Sequence, residues 1–411
     1  MQPVSEQPSF RPESHPYRWT MLFGVWLIYA CFGLTIASMA PLVGPITTEL
    51  GISHSAMGSV MGAWPLVYIA AAIPCGALLD RLGPRSGLIA ATVIMAVSGA
   101  LRGAADGHLT LFIAVALFGF GGPLISIGAP KIISLWFEGK DRGLAMGLYI
   151  TGPALGGIAA LSGTNSVIMP WLGDWRLVMY SYAAVVLVSG VVWWAITMHP
   201  ASKDVESRLA AEPKRRQIDV FLDLIRLRSV QIVLLMSVGI FFFNHGLNNW
   251  LPEILRHGGI DAVTAGFWAS LPTAIGIAGS LVIPRLAVPE RRFIILTLLI
   301  IAAGVASTLL LQPQGPLLAF GLVLQGVARS SMMTILILVL VEIKEIGSRN
   351  AGAAGGLFFS AAEIGGVSGP LTIGIIYDST GGFSSGLTMM TVVCVVLLIS
   401  MLALRPHLRV K

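Results

Sequence analysis

Charge is scarce in this chain: Asp, Glu, Lys and Arg together make up 11% of its 411 residues. So sparse a set builds no basic patch for a nucleic-acid backbone, so nucleic acid is excluded as a partner. Cysteine is scarcer still. Cys31, Cys75 and Cys394 each sit inside an apolar run, which reads them as small buried hydrophobes. No Cys/His spacing suggests a metal site, and no cofactor is implied. A GxxxxGK[ST] segment is missing, which excludes ATP hydrolysis, and no catalytic constellation points to an enzyme. Nor is there a carbonyl filter or ring of charges of the kind a channel needs.

What fills the chain instead is apolar: 55% of residues are hydrophobic and mean hydropathy is +0.82. A soluble domain cannot hide that much apolar surface, and a β-barrel would show short alternating segments, so the chain reads as an all-α membrane protein. A bilayer core takes about 20 apolar residues per helix. Twelve runs qualify: 20–40, 56–79, 86–104, 109–136, 143–168, 175–197, 229–251, 262–284, 292–312, 316–341, 351–377 and 383–404, here helices 1 to 12. The first is too long for a signal-peptide core and lacks a convincing cleavage site, so it reads as a retained helix. The expected organisation is a polar, proline-bearing tail (1–19), a six-helix unit (20–197), a linker (198–228), a second six-helix unit (229–404) and a short tail (405–411). The linker is rich in Lys and Arg, with an amphipathic surface helix expected near Val220–Arg228.

The basic residues also set the orientation. With both termini inside, the tails, the linker and the loops after helices 2, 4, 8 and 10 hold 21 of the 26 Lys and Arg, with Arg102, Arg176 and Arg256 outside. Lys131 and Arg329 fall within helices. Both termini are therefore expected in the cytoplasm. The two halves read as repeats. Gly147-Leu148-Tyr149-Ile150-Thr151-Gly152-Pro153-Ala154-Leu155-Gly156-Gly157 aligns with Gly356-Leu357-Phe358-Phe359-Ser360-Ala361-Ala362-Glu363-Ile364-Gly365-Gly366 at an offset of 209, and Arg85 precedes Arg292 by 207.

Between helices 2 and 3 lies Gly76-Ala77-Leu78-Leu79-Asp80-Arg81-Leu82-Gly83-Pro84-Arg85. It closely resembles GxxxDRxGRR, a loop signature of the major facilitator superfamily, through Gly76, Asp80, Arg81, Gly83 and Arg85; Pro84 departs from it. Gly76 suits close helix packing and Gly83 a tight turn. The resemblance implies a charge cluster that holds one conformation shut and breaks as the halves rock. In the second half Ile283 and Ala287 replace the Gly and the Asp, so an asymmetric gate is expected. Gly152, Pro153, Gly156 and Gly157 resemble a second signature, GPxxGG of helix 5, associated with proton-coupled exporters. Gly/Pro packing common to many transporters would look the same, so the direction of transport stays open.

The resemblance spans nearly the whole chain. It implies two pseudo-symmetric six-helix bundles around a central cavity lined by helices 1, 4, 7 and 10, in a bacterial inner membrane, working as a monomer. Polar groups deep in those helices are candidates for cargo contacts. Arg329, halfway along helix 10, suits a carboxylate through two parallel hydrogen bonds. Glu363, mid-way along helix 11, is its expected companion. A carboxyl holds its proton more tightly when buried and less tightly beside an Arg, so it could couple transport to protons. A static Arg329–Glu363 pair is the alternative. Helix 7 offers Asn244 and Asn248 on one face and His245 and Asn249 on the next, with His245, read as near the outer end, a possible proton relay. Tyr29 of helix 1 and Tyr149 of helix 5 are further cargo candidates. Thr35, Trp64, Tyr68, Ser126 and Thr151 suit packing equally well. The deep arginines of the nitrate/nitrite branch, the helix 8 charge of oxalate/formate carriers and the sugar-porter signatures are all missing. The expected function is proton-driven transport of a small, monocarboxylate-like organic anion by alternating access. The alternatives are a proton-coupled exporter of amphipathic compounds and a non-transporting sensor on the same fold.

Overall fold

A computed structural model describes residues 15–202, 224–341, 343 and 346–405. Within helices, the side chains of Ile73, Asp80, Lys140 and residues 347–353 lie outside the described set, as do residues 220–223 of the expected linker helix. Lipid offers no partner for backbone N–H and C=O groups, so apolar runs of this length satisfy them internally as helices. Among the described residues twelve are long and apolar enough to cross a membrane: α1 (Arg18–Leu50), α2 (His54–Ala72), α3 (Arg81–Gly103), α4 (His108–Trp136), α5 (Asp141–Leu172), α6 (Trp175–Thr197), α7 (Arg228–His257), α8 (Ala262–Leu286), α9 (Arg292–Leu309), α10 (Pro316–Val341), α11 (Ala354–Thr380) and α12 (Ser384–Leu404). The even number returns both ends of the chain to one side, and the opposite side is called distal below.

The same packing scheme appears twice. In the first half α1 packs on α5, α4 on α2 and α3, and α3 on α6; in the second α7 packs on α11, α10 on α8 and α9, and α9 on α12. Glycines set the equivalent close approaches. A Cβ at Gly156 would strike the Ala30 carbonyl oxygen of α1, and one at Gly365, 209 residues on, would strike the Val238 carbonyl oxygen of α7. The halves meet through α2 with α11 and α5 with α8. There Gly58 lies against the Pro370 carbonyl and Gly266 against that of Leu161, again one contact repeated. All four residues lie toward the distal ends of their helices, so the bundles are clamped together on that side.

A hydrogen bond across the two bundles reinforces the clamp. The carboxylate of Asp378, near the end of α11, accepts from the backbone N–H of His54 (3.1 Å) and of Ser55 (2.8 Å) at the start of α2. In the repeat-related helix α8 the cap is local: Asp261 accepts from Val263 and Thr264, both at 3.0 Å. Its bond with Thr264 holds the Asp261 carboxyl below the usual carboxylate range, so this cap persists at neutral pH and is lost as pH falls through that depressed value. Helix α2 has no acid of its own there and borrows one from the other bundle. Asp378→Ala is expected to cost about 1 kcal/mol, as lost helix caps do. That would appear as a lower thermal midpoint of the purified protein, with Asp378→Asn, which keeps one acceptor, in between. An unchanged midpoint would show that the bond contributes nothing.

One expectation, at Gly76, needs correction, and Arg102 has a role its place in the sequence did not show: at the distal end of α3 it is buried, 2% exposed, in the first bundle. Helix α1 breaks after Ala37, freeing carbonyl groups, and Arg102 Nη1 donates to the Thr35 carbonyl (2.9 Å) and to Ser38 Oγ (3.3 Å). Gly76 makes no close backbone approach here. A Cβ there would meet only the tip of Ile127, at 3.7 Å, ordinary contact distance. Gly83 does turn the chain, with φ at 78°, so tightly that helix continues on either side of it. Arg81 is exposed.

Candidate functional site

The helix 5 motif shapes the site from the first-bundle side. Gly152 and Gly156 let α5 ride on the backbone of α1 at Trp26 and Ala30, and the Pro153 carbonyl lies on Gly33. A Cβ at Gly157 would meet only Ala37 Cβ at 3.9 Å and the Gly33 carbonyl at 4.0 Å, both ordinary contacts. This close approach brings Tyr29 of α1 onto Tyr149 of α5, rings stacked at 5.5 Å and 14°. Neither phenol has a hydrogen-bond partner among the described residues. Gly156→Val should cost about 1–3 kcal/mol of stability by overpacking, whereas Gly157→Ala should be tolerated. Thermal unfolding of the two proteins checks the contrast.

From the second bundle α7, α10 and α11 contribute. Asn244 Nδ2 donates to the Arg329 carbonyl at 3.4 Å, while its Oδ1 is buried without a hydrogen bond. The Arg329 guanidinium has one long contact, to Thr273 Oγ1 of α8 at 3.4 Å. Among the described residues no carboxylate lies within ion-pair distance of it. The expected Arg329–Glu363 pair is therefore not formed. Glu363, 5% exposed, faces His245 instead, with Nε2 to Oε2 at 3.9 Å and Oε2 without a hydrogen bond. Gly366, one turn along α11, makes room for both groups: a Cβ there would collide with Glu363 Oε2 and lie 3.3 Å from the imidazole.

His245 is also deeper than expected. Helix α7 runs through Pro252 to His257, which leaves His245 well inside it rather than near its outer end. Its ring stacks on Phe241 (5.4 Å, 19°) and meets Trp64 of the first bundle at a tilt (5.5 Å, 31°). Asn249 spends its amide on the His245 carbonyl at 2.9 Å. Asn248 is half-buried and makes no hydrogen bond among the described residues. Tyr68 bonds Ser126 at 2.9 Å and lies within electrostatic reach of Glu363 across the bundle boundary.

Two groups escaped sequence reasoning. Gln325, fully buried with both amide atoms unpaired, lies one helical turn before Arg329, and that spacing was the available signal. Thr273 offered none, since a lone Thr after a Pro is ordinary. Among the described residues no cluster of three His, Cys, Asp or Glu could hold a metal. Chemically, the second bundle offers a cation with no acid partner among the described residues, a protonatable acid beside an imidazole, and amides, facing phenols and an indole.

A family model described as Major Facilitator Superfamily matches residues 25–345. The chain is 25% identical over 378 residues to the uncharacterized transporter YycB of Bacillus subtilis (strain 168), covering 90% of each chain. It is 24% identical over 369 residues to a quinolone resistance transporter of Acinetobacter baumannii, covering 84% of each. It is also 22% identical over 444 residues to the "Probable galactarate/D-glucarate transporter GudP" of B. subtilis (strain 168), covering 94% of this chain and 91% of that one. The inward-facing, unoccupied crystal structure of a bacterial homolog of the human lysosomal transporter Spinster superposes with a TM-score of 0.75 at 18% identity, over 96% of this chain and 98% of that one. With twelve membrane-crossing helices in two like bundles and that family match over most of its length, the chain belongs to the Major Facilitator Superfamily and is a multi-pass secondary transporter, not an enzyme.

Proposed function

We propose that the protein moves a small organic anion, a carboxylate bearing hydroxyl groups as sugar acids do, together with a proton by alternating access. The observation that carries this reading is Arg329: a guanidinium inside the membrane, with one 3.4 Å contact to a hydroxyl and no acid partner among the described residues. Burying such a cation costs several kcal/mol, and an anionic cargo would compensate it through two parallel hydrogen bonds. Asn244, Asn248 and the phenols of Tyr29 and Tyr149 would meet its hydroxyl groups. Glu363, with His245 beside it, would take and release the proton. Relatives named for galactarate and D-glucarate support a hydroxylated anion. The distribution of Lys and Arg supports an inner-membrane protein with both termini cytoplasmic, and the gate residues Gly76, Asp80, Arg81, Gly83 and Arg85 would then face the cytoplasm.

The test is uptake into proteoliposomes of purified protein. Labelled D-gluconate, D-glucarate, lactate and benzoate would be offered with and without a pH gradient. Uptake of a sugar acid that rises with the gradient and is competed by other sugar acids is expected. Absence of gradient-dependent uptake for all four anions, together with no anion-induced rise in melting temperature, would overturn the proposal.

A further inference from the structure

We infer that Trp64 is a positioning residue that ties the protonation of the His245–Glu363 pair to closure of the two bundles. This rests on the proton-coupled reading above. Trp64 belongs to α2 and is held by its own bundle on three sides: edge-on to Phe32 (6.4 Å, 81°), to Tyr68 (6.2 Å, 85°) and to Phe118 (5.7 Å, 87°). The ring is 7% exposed. Its remaining contact crosses to the other bundle and lands on His245. The imidazole thus has two ring neighbours: Phe241, stacked on it from a turn earlier on its own helix, and Trp64, tilted against it from the opposite bundle.

The two neighbours restrict the imidazole, whose Nε2 lies 3.9 Å from Glu363 Oε2. Aromatic pairs at these separations are worth about 0.5–1.5 kcal/mol beyond the area they bury. His245 and Glu363 both belong to the second bundle, so they stay near one another in any arrangement of the halves. The Trp64 contact does not. Alternating access requires the bundles to part on the distal side, and Trp64 lies within two turns of the Gly58 and Gly62 contacts that clamp that side. Parting removes the Trp64 contact, admits water to the imidazole and frees its rotamer. The proton affinity of the pair therefore differs between the two states, which is the requirement for coupling a proton to a conformational change.

The groups around this centre restrict the effect to few residues. From α11 His245 meets Glu363, and from α10 it feels the charge of Arg329. From the first bundle it meets the uncharged indole, with the Tyr68 phenol within electrostatic reach of Glu363 and of Tyr29. Its helical neighbours Asn244 and Asn249 do not titrate.

The experiment compares wild type, Trp64→Ala and Trp64→Phe in proteoliposomes by two assays: exchange of labelled against unlabelled D-gluconate at equal pH, and accumulation driven by a pH gradient. Trp64→Ala should lose gradient-driven accumulation about 10-fold more than exchange, with the pH midpoint of uptake displaced, and Trp64→Phe should restore both. As a second measurement, tryptophan emission should titrate with pH in wild type, and that component should vanish in both Trp64→Phe and His245→Gln. If wild type shows no gradient-driven uptake, the proposed function fails and this inference with it. If wild type accumulates gluconate while Trp64→Ala keeps its pH midpoint and its ratio of accumulation to exchange, the inference alone is wrong. Should Trp64→Ala fail to fold, an emission titration identical in wild type and His245→Gln overturns it.

Discussion

Arg329→Gln is expected to reduce uptake of organic anions by about 10- to 100-fold while the protein stays folded. The magnitude follows from the bond removed: a hydrogen bond to a charged group contributes about 1.5–3 kcal/mol, and 1.4 kcal/mol is a factor of ten. The stability side points the other way. Arg329→Gln loses only a 3.4 Å contact with Thr273, and among the described residues no carboxylate is orphaned by it. A cation inside the membrane with no acid partner among the described residues is a cost to the empty protein, so the variant's own melting temperature should hold or rise. What should vanish is the rise that a bound anion produces. Arg329→Lys separates charge from geometry: it keeps the cation but loses the planar two-pronged donor, so intermediate uptake is expected. Equal uptake and an equal anion-induced shift in Arg329→Gln and wild type would sink the anchor role. A lower melting temperature without cargo would instead reveal a structural pin.

Arg329 was legible in the sequence because a charge inside a long apolar run has few roles open to it, and the same holds for Glu363. Their relationship was not legible. Helical residues point in directions 100° apart from one to the next, so the partner a buried acid faces depends on how each helix is rotated against its neighbours. Here packing turns Glu363 onto His245, at a place where Gly366 has no side chain to block it. The repeat was legible and accurate at contact level, because Gly156 and Gly365 do the same work against α1 and α7. The bonds that cross the bundles were not. Asp378 looks like an ordinary acid at the end of a run, and only the assembled halves bring it to the start of α2. Arg102 misled for a similar reason. Near the end of its run it passes for a topological charge, and its burial follows from a break in α1 that apolar content does not mark.

Glu363→Gln is expected to separate exchange from accumulation. Glutamine has nearly the shape of the protonated acid and cannot ionise, so it mimics the proton-loaded carrier permanently. The 3.9 Å approach to His245 would survive without the carboxylate charge, and Gly366 would still leave room for the side chain. Cargo should therefore bind and exchange across the membrane at equal pH, because neither step needs the proton to leave. Net accumulation does need it. One pH unit is worth 1.36 kcal/mol per proton, so a vesicle one unit more alkaline inside can concentrate a cargo moving with one proton up to about 10-fold. Wild type should approach that ratio, and Glu363→Gln should stay near one at every pH tested, with a flat pH profile. Thr273→Val, which touches Arg329 and leaves the acid intact, is the control: it should weaken uptake without flattening the profile. If Glu363→Gln still accumulates gluconate to the wild-type ratio, the proton is carried elsewhere, and His245 becomes the first group to replace.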